Sequence, residues 1–325
     1  MRKAPPKDVA FPLRTLDPNP FKKNPTMSDQ ALCDRFTGIM ADFTAYMAKH
    51  LPDDVVAKLK ELRSQQNTEL ANIIYDTMFA NQEAAARRNV PSCQDTGVIQ
   101  YFIQCGSKFP LLGDLPKCLP EAAKLATQRA PLRHNAVQIF DEKNSGNNTG
   151  VRIPYLDWEI IPDSDECTIY AYLAGGGCSL PGHAKVFMPV EGYEAVVRFI
   201  FDLICDRGIN ACPPLLVGVG IAGSAEVAAV LSKKALLRPV GSHNSNPKGA
   251  EFERLIAEGL DKINIGPNGV GGVKSVMGVN VEQAARHPSC LAAAVNVGCW
   301  AHRRAGIHFK ADLSYEIFTH KGVTL

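Results

Sequence analysis

The stretch Val-Pro-Ser-Cys-Gln-Asp-Thr-Gly-Val-Ile-Gln-Tyr-Phe-Ile-Gln-Cys, residues 90–105, is where the chain changes its period. Upstream of it, apolar residues recur every three or four positions. Downstream of Gly97, Ile99, Tyr101, Ile103 and Cys105 alternate with their neighbours, as a half-buried strand requires. Between the two regimes stand a proline, a glycine, a thiol, an amide and a carboxylate. Pro91 and Gly97 suit a sharp turn, so Cys93, Gln94 and Asp95 are expected to leave one loop together.

Working outward toward the N-terminus, residues 28–89 read as a helical layer. Leu32, Phe36, Ile39, Phe43 and Met47 form one apolar face, with Ser28 as the expected N-cap. Pro52 suits the first turn of a second helix carrying Val55, Val56, Leu59 and Leu62. A third runs from Glu69 to Arg88, with Leu70, Ile73, Ile74 and Met78 expected inward. Residues 1–26 hold six prolines and no apolar periodicity, which reads as a flexible tail, and Met27 is an alternative start.

Toward the C-terminus, strands are expected near 151–160, 166–174, 184–189, 214–221, 273–281, 292–298 and 305–312. Helices are expected near 119–128, 192–206, 224–236 and 248–260. This irregular interleaving predicts a mixed α/β unit over 90–325, with parallel and antiparallel pairs, in one domain spanning 27–325. No internal repeat is visible.

Composition narrows the function classes. A length of 325 residues allows a large core, and 46% apolar with 21% charged residues is the balance of a globular chain. A net charge of +2 gives no electrostatic reason to expect nucleic acid or an anionic membrane. No apolar run approaches the roughly eighteen residues of a membrane helix, and the start lacks a signal-peptide core, so a cytoplasmic location is expected.

Ten cysteines in a chain without an export signal are expected to be reduced. Cys33, Cys118, Cys167, Cys205 and Cys290 lie in apolar or helical stretches and read as packing residues. Cys93, Cys212 and Cys299 sit among turn formers and polar residues and read as loop cysteines. They are 119 and 87 residues apart, and no Cys-x-x-Cys pair accompanies them, so spacing alone is a weak signal of metal binding.

Gly-Gly-Gly at 175–177 and the run Gly-Pro-Asn-Gly-Val-Gly-Gly at 266–272 mark tight turns, and the first follows a strand where backbone N–H groups can face an anion. Gly218-Val-Gly220-Ile-Ala-Gly223 matches a dinucleotide fingerprint and supports an alternative of another class, a nucleotide-binding oxidoreductase. Against it, no acidic residue follows at the ribose position, and close strand-to-helix packing explains the glycines more simply.

Polar residues near the loop cysteines suit a dicarboxylate. Arg133, in Ala-Pro-Leu-Arg-His-Asn, can grip a carboxylate with two parallel hydrogen bonds. Gln94 and Asp95 directly follow a loop cysteine, and His287 and His302 offer ring nitrogens.

Cys-Gln-Asp-Thr-Gly at 93–97, Ala-Pro-Leu-Arg-His-Asn at 130–135, Ala-Gly-Gly-Gly-Cys at 174–178, Asn-Ala-Cys-Pro-Pro at 210–214 and Gly-Cys-Trp-Ala-His-Arg-Arg at 298–304 occur in one order. In that order, from about Met27 to the C-terminus, the chain resembles the class I fumarate hydratase and tartrate dehydratase family. The resemblance implies a 4Fe-4S cluster held by Cys93, Cys212 and Cys299, with one iron free of cysteine. It also implies that Gln94, Arg133, the backbone at Gly176 and His287 bind substrate, and that Asp95 acts as an acid or base near the leaving hydroxyl.

The implied activity is that of a hydro-lyase: removal of water from a 2-hydroxy dicarboxylate. L(+)-tartrate going to oxaloacetate is the first expectation, and malate and fumarate are the alternative. Single-chain members of that family carry a further module that ends in other substrate-binding residues and holds the base for the carbon-bound proton. The sequence lacks that module, so the expectation is a β subunit, a heterotetramer with two of each chain, and no activity without it.

Overall fold

The computed structural model describes residues 27–325, so the reading of 1–26 as a tail lies outside the described residues. In chain order the helices are α1 (Met27–Lys49), α2 (Asp53–Ser64), α3 (Glu69–Arg88), α4 (Leu115–Arg129), α5 (Gly176–Ser179), α6 (Gly192–Arg207), α7 (Ala225–Ala235) and α8 (Pro247–Asp261). The strands are β1 (Val98–Gly106), β2 (Val137–Gln138), β3 (Lys143–Asn144), β4 (Tyr155–Ile161), β5 (Cys167–Ala174), β6 (His183–Phe187), β7 (Leu215–Ala222), β8 (Val276–Gln283), β9 (Leu291–Gly298), β10 (Arg304–Phe309) and β11 (Tyr315–Ile317).

The change of period at residue 97 is the boundary between α3 and β1. Asn89 closes α3 in the left-handed conformation, at φ 55°, and its N–H satisfies the last turn. The chain then turns through Cys93–Asp95 into β1. Gly97, at φ +79°, could carry no side chain, because a Cβ there would stand 2.6 Å from the Ala174 carbonyl carbon.

Two sheets result. The first orders β11-β10-β5-β1-β4, with β1 parallel to β4 and antiparallel to β5. The second orders β6-β9-β7-β8, with β7 parallel to β8 and antiparallel to β9. A short β2–β3 hairpin stands apart from both. The mixed α/β architecture expected from the sequence is therefore the one observed.

The helical segment forms but divides between two places. α1 packs with α4 over the first sheet, where Phe36, Met40, Phe43 and Met47 meet Ile99, Tyr101 and Ile103 in one core. α2 and α3 instead join the seam between the sheets, with Val55, Leu59, Tyr75, Phe102, Tyr172 and Leu216 in a second core. α6 and α8 supply the apolar cover of the second sheet.

Details of this segment differ from the sequence reading. Met78 is buried as expected, but Leu70 and Ile73 are 52% and 51% exposed, and α3 turns Ala71 and Tyr75 inward in their place. The true buried face runs 71-75-78, one position out of step with the apolar residues at 70 and 73. Ser28 falls at the second position of α1, inside the helix rather than before it.

Candidate active site

The candidate site lies at the end of the second sheet where β7 begins and β9 finishes. Leu216 pairs with Gly298 there, so the turn before β7, carrying Cys212, and the turn after β9, carrying Cys299, are neighbours. The Trp300 N–H donates to the Cys212 carbonyl at 3.2 Å and ties the two turns directly. Cys212 holds φ 52°, a left-handed conformation costing a residue with a Cβ about 1–2 kcal/mol.

The third wall comes from the first sheet. The Asp95 carboxylate accepts from Gly97 N–H at 3.1 Å, from Asn135 Nδ2 at 3.3 Å and from Gly176 N–H at 2.6 Å. One side chain thus clamps the Cys93 turn, the loop after α4 and the glycine turn that opens α5. Gly175 allows this approach, since a Cβ there would stand 3.0 Å from Asp95 Oδ2. Gly177 in turn lies against the Asn210 carbonyl of the Cys212 turn, 2.9 Å from where its Cβ would be.

The thiols share one electrostatic neighbourhood. Burial raises the Cys212 thiol above its ordinary range, and Cys178, Cys93 and Asp95 add to the rise through space. Cys299 is raised well above that range, first by its hydrogen bond with Cys178, then by burial, with Cys93 contributing. Within this pair the hydrogen bond with Cys299 lowers the Cys178 thiol against the opposing effect of burial, and Arg303 and Lys233 lower it further. Cys178 had no assigned part in the sequence reading. Its one signal there was its place in the Gly-Gly-Gly-Cys run, which looked like turn chemistry.

Among the described residues no group of three or more His, Cys, Asp or Glu side chains is placed to hold a single metal ion. The donor set at this end is thiol-rich, and it faces a buried guanidinium with an unpartnered nitrogen, Arg303 Nη1. That chemistry suits a sulfur-ligated, anionic group larger than one ion.

Of the residues singled out in the sequence, Cys93, Asp95, Gly176, Cys212 and Cys299 meet here, with Gln94 and Arg133 exposed on adjoining loops. Thr96 Oγ1 donates to the Arg133 carbonyl at 2.9 Å, which fixes that loop while its guanidinium stays outside any ion pair among the described residues. The Gly176 N–H, expected to face substrate, is engaged by Asp95.

His287 is elsewhere. It lies between β8 and β9, at the opposite end of the second sheet from Cys212 and Cys299, where its Nδ1 accepts from Ser289 N–H at 3.1 Å. An eight-residue strand of about 3.3 Å per residue separates the two ends. His302 is buried, bonded through Nε2 to the Leu236 carbonyl at 2.8 Å, and burial lowers it to about 3, so it is a neutral packing residue. Of the cysteines read as packing, Cys118 and Cys167 are buried, but Cys205 is exposed on α6 and Cys33 and Cys290 are half-buried.

The dinucleotide fingerprint dissolves in the fold. Gly218 and Gly220 lie inside β7 rather than in a loop after it, and α7 packs on them. A Cβ at Gly220 would stand 1.9 Å from the Ala228 carbonyl oxygen and one at Gly218 2.3 Å from that of Ser232. A pyrophosphate has no room where a helix backbone already sits.

The fold is thus a two-sheet α/β protein that gathers thiols and a clamped carboxylate at the end of one sheet, with an exposed guanidinium on an adjoining loop. Comparison with known proteins makes the class specific. The family model for fumarate hydratase (fumerase) matches residues 37–308. The chain is 54% identical over 291 residues to the L(+)-tartrate dehydratase subunit alpha of Escherichia coli (strain K12), covering 90% of this chain and 96% of that one. The same figures hold for the protein of that name from Shigella sonnei (strain Ss046). A putative L(+)-tartrate dehydratase subunit alpha from Methanocaldococcus jannaschii is 31% identical over 281 residues, covering 86% of this chain and 99% of that one. The chain belongs to the fumarate hydratase family. No helix among the described residues is long and apolar enough to cross a membrane.

Proposed function

We propose that this chain is the α subunit of a cytoplasmic hydro-lyase that removes water from L(+)-tartrate, giving oxaloacetate once the enol product tautomerises. The observation that carries the reading is 54% identity across nearly the whole length of relatives that bear that subunit name. The partner is a β subunit, in an assembly of two copies of each chain, and the active site closes where the two kinds of subunit meet.

In this reading Cys93, Cys212 and Cys299 hold a 4Fe-4S cluster with one iron free of cysteine. Their convergence at one end of the second sheet, beside buried cationic side chains, supports that assignment. When bound, such a cluster supplies a Lewis-acidic iron to a substrate hydroxyl and its neighbouring carboxylate.

The chain's own residues do the rest of its share. Arg133, with no carboxylate on its guanidinium among the described residues, grips one end of the dicarboxylate with two parallel hydrogen bonds. Gln94, exposed next to Cys93, supplies an amide donor to the same substrate. Asp95 Oδ2 accepts one N–H, from Gly176, and keeps lone pairs for a proton at the leaving oxygen. The Gly176 backbone positions Asp95 and lines the substrate side of the same turn. The base for the carbon-bound proton belongs to the β subunit. His287, at the far end of the sheet, meets a substrate only where another chain covers that end.

The family-model match favours a second substrate pair, malate and fumarate. One hydroxyl separates it from tartrate, and a site without a dedicated partner for that hydroxyl discriminates modestly. Turnover of L-tartrate against malate by the assembled αβ complex decides between them. A preference for tartrate is expected, and a hundredfold preference for malate overturns the choice.

A further inference from the structure

Of the two arginines buried among the described residues, one is paired with a carboxylate and the other is not. Arg304, 2% exposed, is ion-paired with Asp54, which also accepts the Val240 N–H at 2.6 Å. Even the half-buried Arg238 is paired, with Glu253 at 2.8 Å and with Glu282 at 3.3 Å. Arg303, also 2% exposed, has no carboxylate within ion-pair distance among the described residues. Its Nη2 donates to the Asp95 carbonyl at 2.6 Å and its Nε to the Ala301 carbonyl at 3.3 Å, while Nη1 is buried without a partner.

Lys233 repeats the pattern one layer away. Its neighbour Lys234 is paired with Asp157 at 2.8 Å, whereas Lys233 has no acidic partner among the described residues and lies over the Tyr172 ring at 5.3 Å. Burial lowers Lys233 to about 8, and Cys178 opposes that lowering. Both cations act on the Cys178 thiol.

A buried cation without a counter-ion is expensive, and native structures pair it or give it a ligand. Neutral carbonyls satisfy the hydrogen-bonding of Arg303 in part and its charge not at all. Arg303 acts on both the Cys178 and the Cys299 thiol, so an anion on its free nitrogen would lie beside those two cysteines.

We infer that Arg303 and Lys233 are positioning residues for an anionic group bound by the three loop thiols, with Arg303 Nη1 donating to it and Lys233 balancing its charge from behind Tyr172. The inference rests on the iron–sulfur reading above and adds residues to it. Arg303 also ties the Cys93 turn, through the Asp95 carbonyl, to the turn that follows Cys299, so it holds two ligand loops in register. A substrate carboxylate is the other possible source of the negative charge, and the two sources differ in whether substrate must be present.

The test uses the full chain with its partner subunit, reconstituted anaerobically, and follows iron loss to a chelator without substrate. Wild type that holds no iron refutes the iron–sulfur reading itself, separately from this inference. With iron bound, Lys233→Met is expected to release it about tenfold faster, the range typical of residues that support a metal's ligands, and Lys233→Arg to release it at the wild-type rate. Arg303→Lys, which keeps the charge but not the reach to both carbonyls, is expected to fall between. Lys233→Met should leave the melting temperature of the iron-free chain unchanged, which a purely structural lysine would not. Iron release at the wild-type rate from Lys233→Met, or equal release from the Met and Arg variants, overturns the inference. Unchanged iron release together with a tenfold weaker tartrate KM also overturns it, because the missing anion is then the substrate.

Discussion

The α1–α4 face of the first sheet and the cysteine end of the second are finished in opposite ways. On the α1–α4 face, Phe36, Phe43, Leu119 and Ile307 are fully buried, and even the polar groups are matched, as where Thr44 Oγ1 meets Tyr101 Oη at 2.7 Å. At the cysteine end, Arg303 Nη1 is buried and unpartnered, Arg133 and Gln94 are exposed, and Cys212 stands in a strained left-handed turn. The first region is closed within this chain. The second has polar capacity that the chain itself does not fill, which is how a site differs from a core.

Substitutions should separate the two regions. The largest effect falls on the cysteines: Cys93→Ser, Cys212→Ser and Cys299→Ser are each expected to abolish bound iron after reconstitution, while Cys118→Ser on the closed face retains it. Iron per folded chain measures this, and full iron in any of the first three breaks the contrast. Next, Phe43→Ala should cost about 3–5 kcal/mol of unfolding free energy in denaturant titrations, with iron per folded chain unchanged. If that substitution strips iron while the chain stays folded, the two regions are coupled.

Arg133→Lys comes third. It keeps the charge but loses the two-pronged grip, and a charge-assisted hydrogen bond is worth about 1.5–3 kcal/mol. That corresponds to a drop in kcat/KM of roughly tenfold or more, read against unchanged iron content. The smallest change is Leu70→Ser, at a residue 52% exposed on α3, which should move stability by no more than about 0.5 kcal/mol. A larger loss would mean that this face of α3 is covered by another chain.

Much of the fold was legible because its signals are local. The switch from helical to alternating period at Gly97 fixed the α3–β1 boundary, and the apolar runs placed every strand of the two large sheets except β11 near its observed position. Leu70 and Ile73 misled because apolar residues one step off the buried stripe look the same in sequence as those on it. Gly218 and Gly220 misled in the other direction. Their spacing copies a phosphate loop, but only the fold reveals that α7 lies on them.

The site was legible in part. Cys93, Asp95, Cys212 and Cys299 announced themselves as polar or turn-flanked residues, and the structure brings them together across two sheets. Arg303 and Lys233 gave no such signal, since each adjoins a second cation, Arg304 or Lys234, that has an ordinary ion pair. Which of two adjacent charges lacks a partner is decided by pairing far along the chain, as between Arg304 and Asp54, 250 residues apart.

The central claim is most directly tested by anaerobic reconstitution of this chain, followed by iron and sulfide counts and by L-tartrate turnover with and without the partner subunit. The account predicts four irons and four sulfides per chain, broad visible absorption, and turnover only when the partner is added. A colourless chain that takes up no iron, or one that turns over tartrate alone, would contradict it.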